Sequence, residues 1–112
     1  MRIRDQVRRE YILRGPCRPQ GYDFPKTQHG KAMRSFREAW FESYPWLEYS
    51  MEKDAAYCLY CYLFDNPSIR SETFTSKGFN NWKKANLFDA HVGSVSSVHN
   101  NARLNYEDFK NQ

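Results

Sequence analysis

Two cysteines separated by two residues, Cys58 and Cys61, are followed by two histidines, His91 and His99, on segments whose apolar spacing is helical. Two thiolates and two imidazoles make the full ligand set of one closed tetrahedral zinc site. A short polar chain uses such a set to hold itself together. With four protein ligands the ion keeps no open position, so water activation and hydrolytic chemistry are not expected. The pattern is Cys-x2-Cys, a gap spanning residues 62 to 90, then His-x7-His across residues 92 to 98. Both gaps exceed those of the common finger, so the match is to a variant.

At 112 residues the chain is one domain. Aromatic residues are 17% of it, so its core should be built from Trp, Tyr and Phe. No stretch approaches the ~18 apolar residues of a membrane span, and no signal peptide opens the chain. Three cysteines, an odd number, suit a disulfide framework poorly and suit thiolates on a metal in a reducing, intracellular compartment. The net charge of +4 is unevenly placed. Residues 1 to 40 hold ten Lys/Arg against four Asp/Glu, and residues 41 to 112 hold seven against nine. The basic excess includes Arg2, Arg4, Arg8, Arg9, Arg14 and Arg18, a segment able to neutralise nucleic-acid phosphates or simply to stay solvated.

The order of elements follows from local pattern. Residues 2 to 14 read as a short helix with Val7, Tyr11 and Ile3 on one side, ended by Gly15 and Pro16. From Gly15 to Lys31, Pro16, Pro19, Gly21, Pro25 and Gly30 predict an extended, irregular arm that wraps the folded part. Residues 34 to 43 predict a helix with Phe36 and Trp40 on one face, stopped by Pro45. Leu47, Tyr49 and Met51 alternate with polar residues, Glu52-Lys53-Asp54 supplies a turn, and Ala55 to Leu59 returns. This hairpin delivers Cys58 into a Cys-x2-Cys knuckle, and Asp65 to Ser68 form a loop. Phe79, Trp82, Ala85, Phe88 and His91 step by three as a helical stripe, with Gly93 after its end. Ser94, Ser96 or Ser97 could cap a last helix carrying Val98, Ala102, Tyr106 and Phe109 on one side, with His99 beside Val98.

Rival readings of these residues are weaker. A redox Cys-x-x-Cys normally opens a helix, whereas aromatic residues and a loop are expected after this pair. His29 and Cys17 lie in the arm, His29 in solvent and Cys17 as a minor ligand candidate. Trp40, Trp46, Trp82, Phe74 and Phe79 could stack on bases, but their spacing favours core packing. No Gly-rich phosphate loop and no catalytic Ser/His/Asp order stands out, so an enzyme reading is remote.

The runs Arg14-Gly15-Pro16-Cys17-Arg18-Pro19, Asp23-Phe24-Pro25, Trp46-Leu47-Glu48-Tyr49-Ser50 and Lys53 to Phe64, then Phe74, Gly78-Phe79 and Trp82, resemble the TTF-type zinc finger. That domain occurs in hAT-superfamily transposases and in proteins domesticated from them, including relatives of MYM-type zinc finger protein 1. The resemblance covers about residues 10 to 104. It implies Cys58, Cys61, His91 and His99 as ligands, in agreement with their spacing, and a nuclear, nucleic-acid-associated role. Such proteins continue into an RNase H-like catalytic domain and a dimerisation region. This chain stops at Gln112, so transposase activity is not expected of it.

The expected architecture is α+β: a small zinc-stabilised domain with a β-hairpin bearing the Cys-x-x-Cys knuckle, two C-terminal helices, and an extended N-terminal arm. The arm is expected over 1–33 and the finger over 34–112. The expected function is zinc-dependent DNA binding in a transposase-like nuclear protein, with Arg4, Arg8, Arg9, Arg14, Lys83 and Lys84 on phosphates. The alternative is a zinc-scaffolded protein-interaction module. DNA binding expects the basic arm and Lys83/Lys84 to share one face, whereas the alternative expects an exposed apolar patch near Trp40 or Trp46. Neither a membrane nor a small-molecule substrate is expected as a partner; protein partners or dimerisation would act through regions beyond this chain.

Overall fold

A computed structural model describes residues 5–64, 73–94 and 97–111. Its elements are helix α1 (Asp5–Arg14), strands β1 (Thr27–His29) and β2 (Ala32–Arg34), a single helical turn α2 (Trp40–Ser43), and strands β3 (Leu47–Ser50) and β4 (Ala55–Cys58). Helix α3 (Leu59–Phe64), a π-turn at Thr73–Lys77, a 3₁₀ turn at Trp82–Lys84, and helices α4 (Leu87–Val92) and α5 (Val98–Lys110) follow. The architecture is a small α+β domain with two antiparallel hairpins. No described helix is long and apolar enough to cross a membrane. Arg2, Ile3, Arg4, Ser96 and the expected loop at 65–68 lie outside the described residues.

The second hairpin pairs Leu47 with Cys58 and Tyr49 with Ala56, and Asp54 takes a positive φ of 50° in its turn. Leu47 and Tyr49 are buried as the alternation requires, whereas Met51 has already left the strand and is exposed. The free edge of β4 takes up Phe79: Ala56 N–H donates to the Phe79 carbonyl at 2.8 Å, and Phe79 N–H to the Ala56 carbonyl at 2.9 Å.

Four expectations need correction. The arm is not irregular throughout, because β1 and β2 form a hairpin within it, pairing His29 with Ala32. Gly30 occupies the first central position of the two-residue turn with φ of 66°, a backbone that glycine adopts without strain. The helix expected over 34–43 contracts to Trp40–Ser43, preceded by bonds three residues apart, such as Trp40 N–H to the Arg37 carbonyl at 3.0 Å. The stripe from Phe79 to His91 is not one helix. Phe79 spends its backbone groups on β4, a 3₁₀ turn follows at Trp82–Lys84, and α4 starts only at Leu87. Finally, the cysteine pair stands at the opening of a helix, the setting not expected for it: Cys58 ends β4 and Cys61 sits in α3.

The arm does wrap the fold. Tyr49 N–H donates to the Cys17 carbonyl at 3.0 Å. The Arg18 guanidinium donates to the carbonyls of Leu47, Tyr44 and Pro45, ordering the chain as it enters β3. Phe24 is buried against Phe36 and Tyr49, with ring centroids 5.0 and 4.8 Å away. The core is accordingly aromatic. One group centres on Phe36 with Phe41, Tyr49 and Trp82, and the next joins Trp46, Phe74, Phe79 and Phe88. The second group forms the floor of the site.

Candidate metal centre

Cys58 is placed by its cross-strand partner Leu47, both fully buried. The chain then turns into α3, whose first N–H, from Leu59, donates to the Trp46 carbonyl at 2.9 Å. One turn of helix returns Cys61 beside Cys58, and the Cys61 N–H points at the Cys58 Sγ, 3.4 Å away. The histidines come from the facing pair of helices. His91 lies in the last turn of α4, which Gly93 ends with φ of 65°. The Ser97 hydroxyl accepts from Asn100 N–H and caps α5, and His99 follows in its first turn.

The four side chains converge. Cys58 Sγ lies 3.4 Å from His99 Nδ1, Cys61 Sγ lies 3.5 Å from His91 Nε2 and 3.8 Å from His99 Nδ1, and the two ring nitrogens are 3.1 Å apart. All four donor atoms lie within 4.8 Å of one another. A tetrahedral zinc ion with sulfur at about 2.3 Å and nitrogen at about 2.0–2.1 Å has sulfur–nitrogen edges of about 3.5 Å and a nitrogen–nitrogen edge of about 3.3 Å. Those four separations fall within a few tenths of an ångström of these edges, and the two remaining ones are bounded only by the 4.8 Å spread of the group. The cluster is therefore compatible with a zinc site in composition and in size.

Its surroundings are dry and aromatic. Cys58, Cys61 and His99 are buried and His91 is half-buried. Trp46 packs on both imidazoles, with ring centroids at 5.0 and 5.2 Å, and Phe74 lies 4.2 Å from His91. Burial pushes the Cys58 thiol well up. The hydrogen bond from Cys58, and then the His91 and His99 contacts, pull the Cys61 thiol down against its own burial. Trp46 and Phe74 as a wall around both histidines escaped sequence reasoning, although Trp46 directly precedes the residue paired with Cys58.

Other expected residues are placed differently. Cys17 is exposed and outside the group. His29 is half-buried, with Nε2 2.8 Å from the Thr27 hydroxyl. Trp46, Trp82, Phe74 and Phe79 are core, and Trp40 is half-buried, so among the described residues no open apolar patch forms at Trp40 or Trp46. Arg4 lies outside the described residues. Arg8 donates to the Leu63 carbonyl at 2.9 Å and covers the Phe64 ring, while Arg9 covers Phe109 and Arg14 covers Tyr11. Helix α1 is thus seated on α3 and α5, whereas exposed Lys83 stands beside the β1–β2 turn, its Nζ 3.9 Å from where a Gly30 methyl would lie.

Fold and cluster together describe a small α+β domain whose two cysteines and two histidines are compatible with a zinc site. The chain is 28% identical over 120 aligned residues to zinc finger MYM-type protein 5 of Mus musculus, a match covering 97% of this chain. The chain spans 18% of the length of that relative. A family model described as "ZMYM1/FAM200, RNase-like domain" matches residues 72–112. The chain is thus similar to a MYM-type zinc-finger protein over nearly its whole length, and to a ZMYM1/FAM200 domain over residues 72–112. No solved structure matches it. The family-model match takes in both histidines, while both cysteines precede it, so the cluster straddles its start.

Proposed function

We propose that this chain is a zinc-dependent DNA-binding module of a transposase-like, hAT-derived nuclear protein, with zinc held by Cys58, Cys61, His91 and His99. The observation that carries the reading is the convergence of four donor atoms within 4.8 Å of one another in a chain whose first 40 residues are strongly basic. Zinc here supplies cross-linking and no reaction, because four protein ligands leave no position for water. Cys58 and Cys61 tie the β4–α3 junction to α4 through His91 and to α5 through His99. The ion would thereby fix the scaffold that presents the basic residues, and the module is not an enzyme.

A second reading, a zinc-scaffolded protein-interaction module, is favoured by Leu13 of α1 and Leu104 of α5, which are 87% and 52% exposed. The two separate in a titration of the zinc-loaded chain on random duplex DNA, with and without chelator, at several salt concentrations. DNA binding requires an affinity that falls steeply with salt and disappears with chelator. An affinity absent at every salt refutes it and leaves the second reading.

A further inference from the structure

The basic residues divide into two kinds once their neighbours are known. Four arginines of residues 8–18 make contacts within the fold, Arg9 and Arg14 while remaining exposed. Arg8 holds the Leu63 carbonyl, Arg18 holds three carbonyls, and Arg9 and Arg14 lie over aromatic rings. The other group surrounds the β1–β2 ribbon. Lys26 precedes it, Lys31 sits in its turn, Arg34 ends it, and Lys83 and Lys84 lie in the adjoining 3₁₀ turn. All five are exposed, and none has an ion-pair partner among the described residues. No acid occurs in residues 26–34 or 82–84. Of the acids near these segments in sequence, Glu38 accepts from the Gly21 N–H and Asp89 from the Tyr44 hydroxyl, while Asp23, three residues before Lys26, is exposed.

Resting on the DNA-binding reading above, we propose that the phosphate-contacting surface is the β1–β2 ribbon with the Lys83–Lys84 turn, and not α1. Its partner is the backbone of double-stranded DNA. A two-stranded ribbon has the dimensions to lie in the major groove, and cations at its ends then meet the flanking phosphates. The half-buried side chains of His29 and Ala32 face the fold, and the neighbouring pair Gln28 and Met33 points outward. Single-stranded nucleic acid is the poorer fit because it needs aromatic platforms. Trp82, in the same turn as the lysines, is buried.

The test uses the zinc-loaded chain and a labelled random-sequence duplex, with affinity measured across salt concentrations. A ribbon variant, K31Q/R34Q/K83Q/K84Q, is compared with an arm variant, R9Q/R14Q. Each neutralised phosphate contributes about 0.9 to the log–log salt slope, so the ribbon variant should flatten it by as much as about three to four units. The arm variant should bind like the unchanged chain. Near-ultraviolet dichroism and bound zinc report folding. If the ribbon variant misfolds, K83Q/K84Q, outside the ribbon, should give about half the change. A flattened slope in the arm variant with an unchanged ribbon variant overturns this surface and keeps DNA binding. Preference for single strands or RNA over the duplex overturns the partner. No binding by the unchanged chain overturns both.

Discussion

Replacing Cys61 by serine should unfold the chain and not merely loosen one corner of it. The exchange of sulfur for oxygen at a residue 3% exposed alters volume little, so packing is not the perturbation. What is lost is a thiolate that faces His91 at 3.5 Å and His99 at 3.8 Å. Structural zinc contributes roughly 10 to 16 kcal/mol in finger peptides, against a total stability of about 5 to 15 kcal/mol for an ordinary domain. Even a third of the metal's contribution, about 4 kcal/mol, would remove most of the margin of a small domain. Helices α3 and α4 have six residues each, far below the length at which a helix persists alone, so they have no local stability to fall back on. Trp46 is the natural reporter because its ring rests on both imidazoles. The serine variant should bind less than one equivalent of zinc and lose its near-ultraviolet dichroism and its native tryptophan emission. Cys17→Ser, at an exposed position outside the cluster, should keep one equivalent and the full spectrum. A Cys61→Ser chain with a native near-ultraviolet spectrum, within about 1 kcal/mol of the parent in denaturant, would show that the aromatic core folds unaided and would refute the reasoning.

Gly78 has φ of 85°, and a methyl there would lie 2.7 Å from Ala55 Cβ and 2.8 Å from the Tyr57 hydroxyl. Gly78→Ala should cost about 1–2 kcal/mol in backbone strain and about 1–3 kcal/mol in overpacking, read as a shifted urea midpoint. Ser97→Ala removes the cap of α5 and a 2.5 Å bond to the Val92 carbonyl; it should cost about 1 kcal/mol and weaken zinc in a chelator competition, because His99 sits in that first turn. Burial, then the hydrogen bond to Asp54, raises the Tyr49 hydroxyl above the usual tyrosine range, so its neutral form is favoured by folding. That contribution is intact below the unfolded value of about 10 and is lost as pH rises beyond it. The melting temperature should therefore fall above pH 10, and less steeply in Tyr49→Phe. A fall of equal steepness in the variant would assign it to Tyr44, Tyr60 and Tyr62, which are also raised.

Elements whose cause is local were legible. The β3–β4 hairpin follows from alternation and a polar turn, the end of α4 from Gly93, and the start of α5 from a serine cap. What escaped depends on partners distant in sequence. Phe79 to His91 has the spacing of a helix, yet Phe79 is claimed by β4, and one residue's two backbone bonds are enough to deny the helix its start. Residues 27–34 lack the alternating apolar pattern of a hairpin, so Gly30 reads as one more break in a Pro/Gly-rich arm. The ribbon is set by its two-residue turn, which composition does not register.

The cluster was more legible than the fold around it, for a physical reason. A tetrahedral site constrains residue type far more narrowly than position, and four soft or imidazole donors at these spacings are hard to assemble by chance. The basic residues gave the opposite result. Charge is visible in a sequence, but whether an arginine is free depends on what lies beneath it. In the sequence Arg18 belongs to a basic segment open to phosphates or to solvent, and the structure instead spends its guanidinium on Tyr44, Pro45 and Leu47, where burial lowers its pKa. Arg8 is likewise drawn to the carbonyl of Leu63, at the end of the helix that carries Cys61. The arm's charge thus acts first as a clamp on the helices flanking the cluster. Among the described residues, exposed cations with neither a carbonyl nor a ring beneath them include those around the ribbon and the 3₁₀ turn, apart from the arginines of residues 8–18.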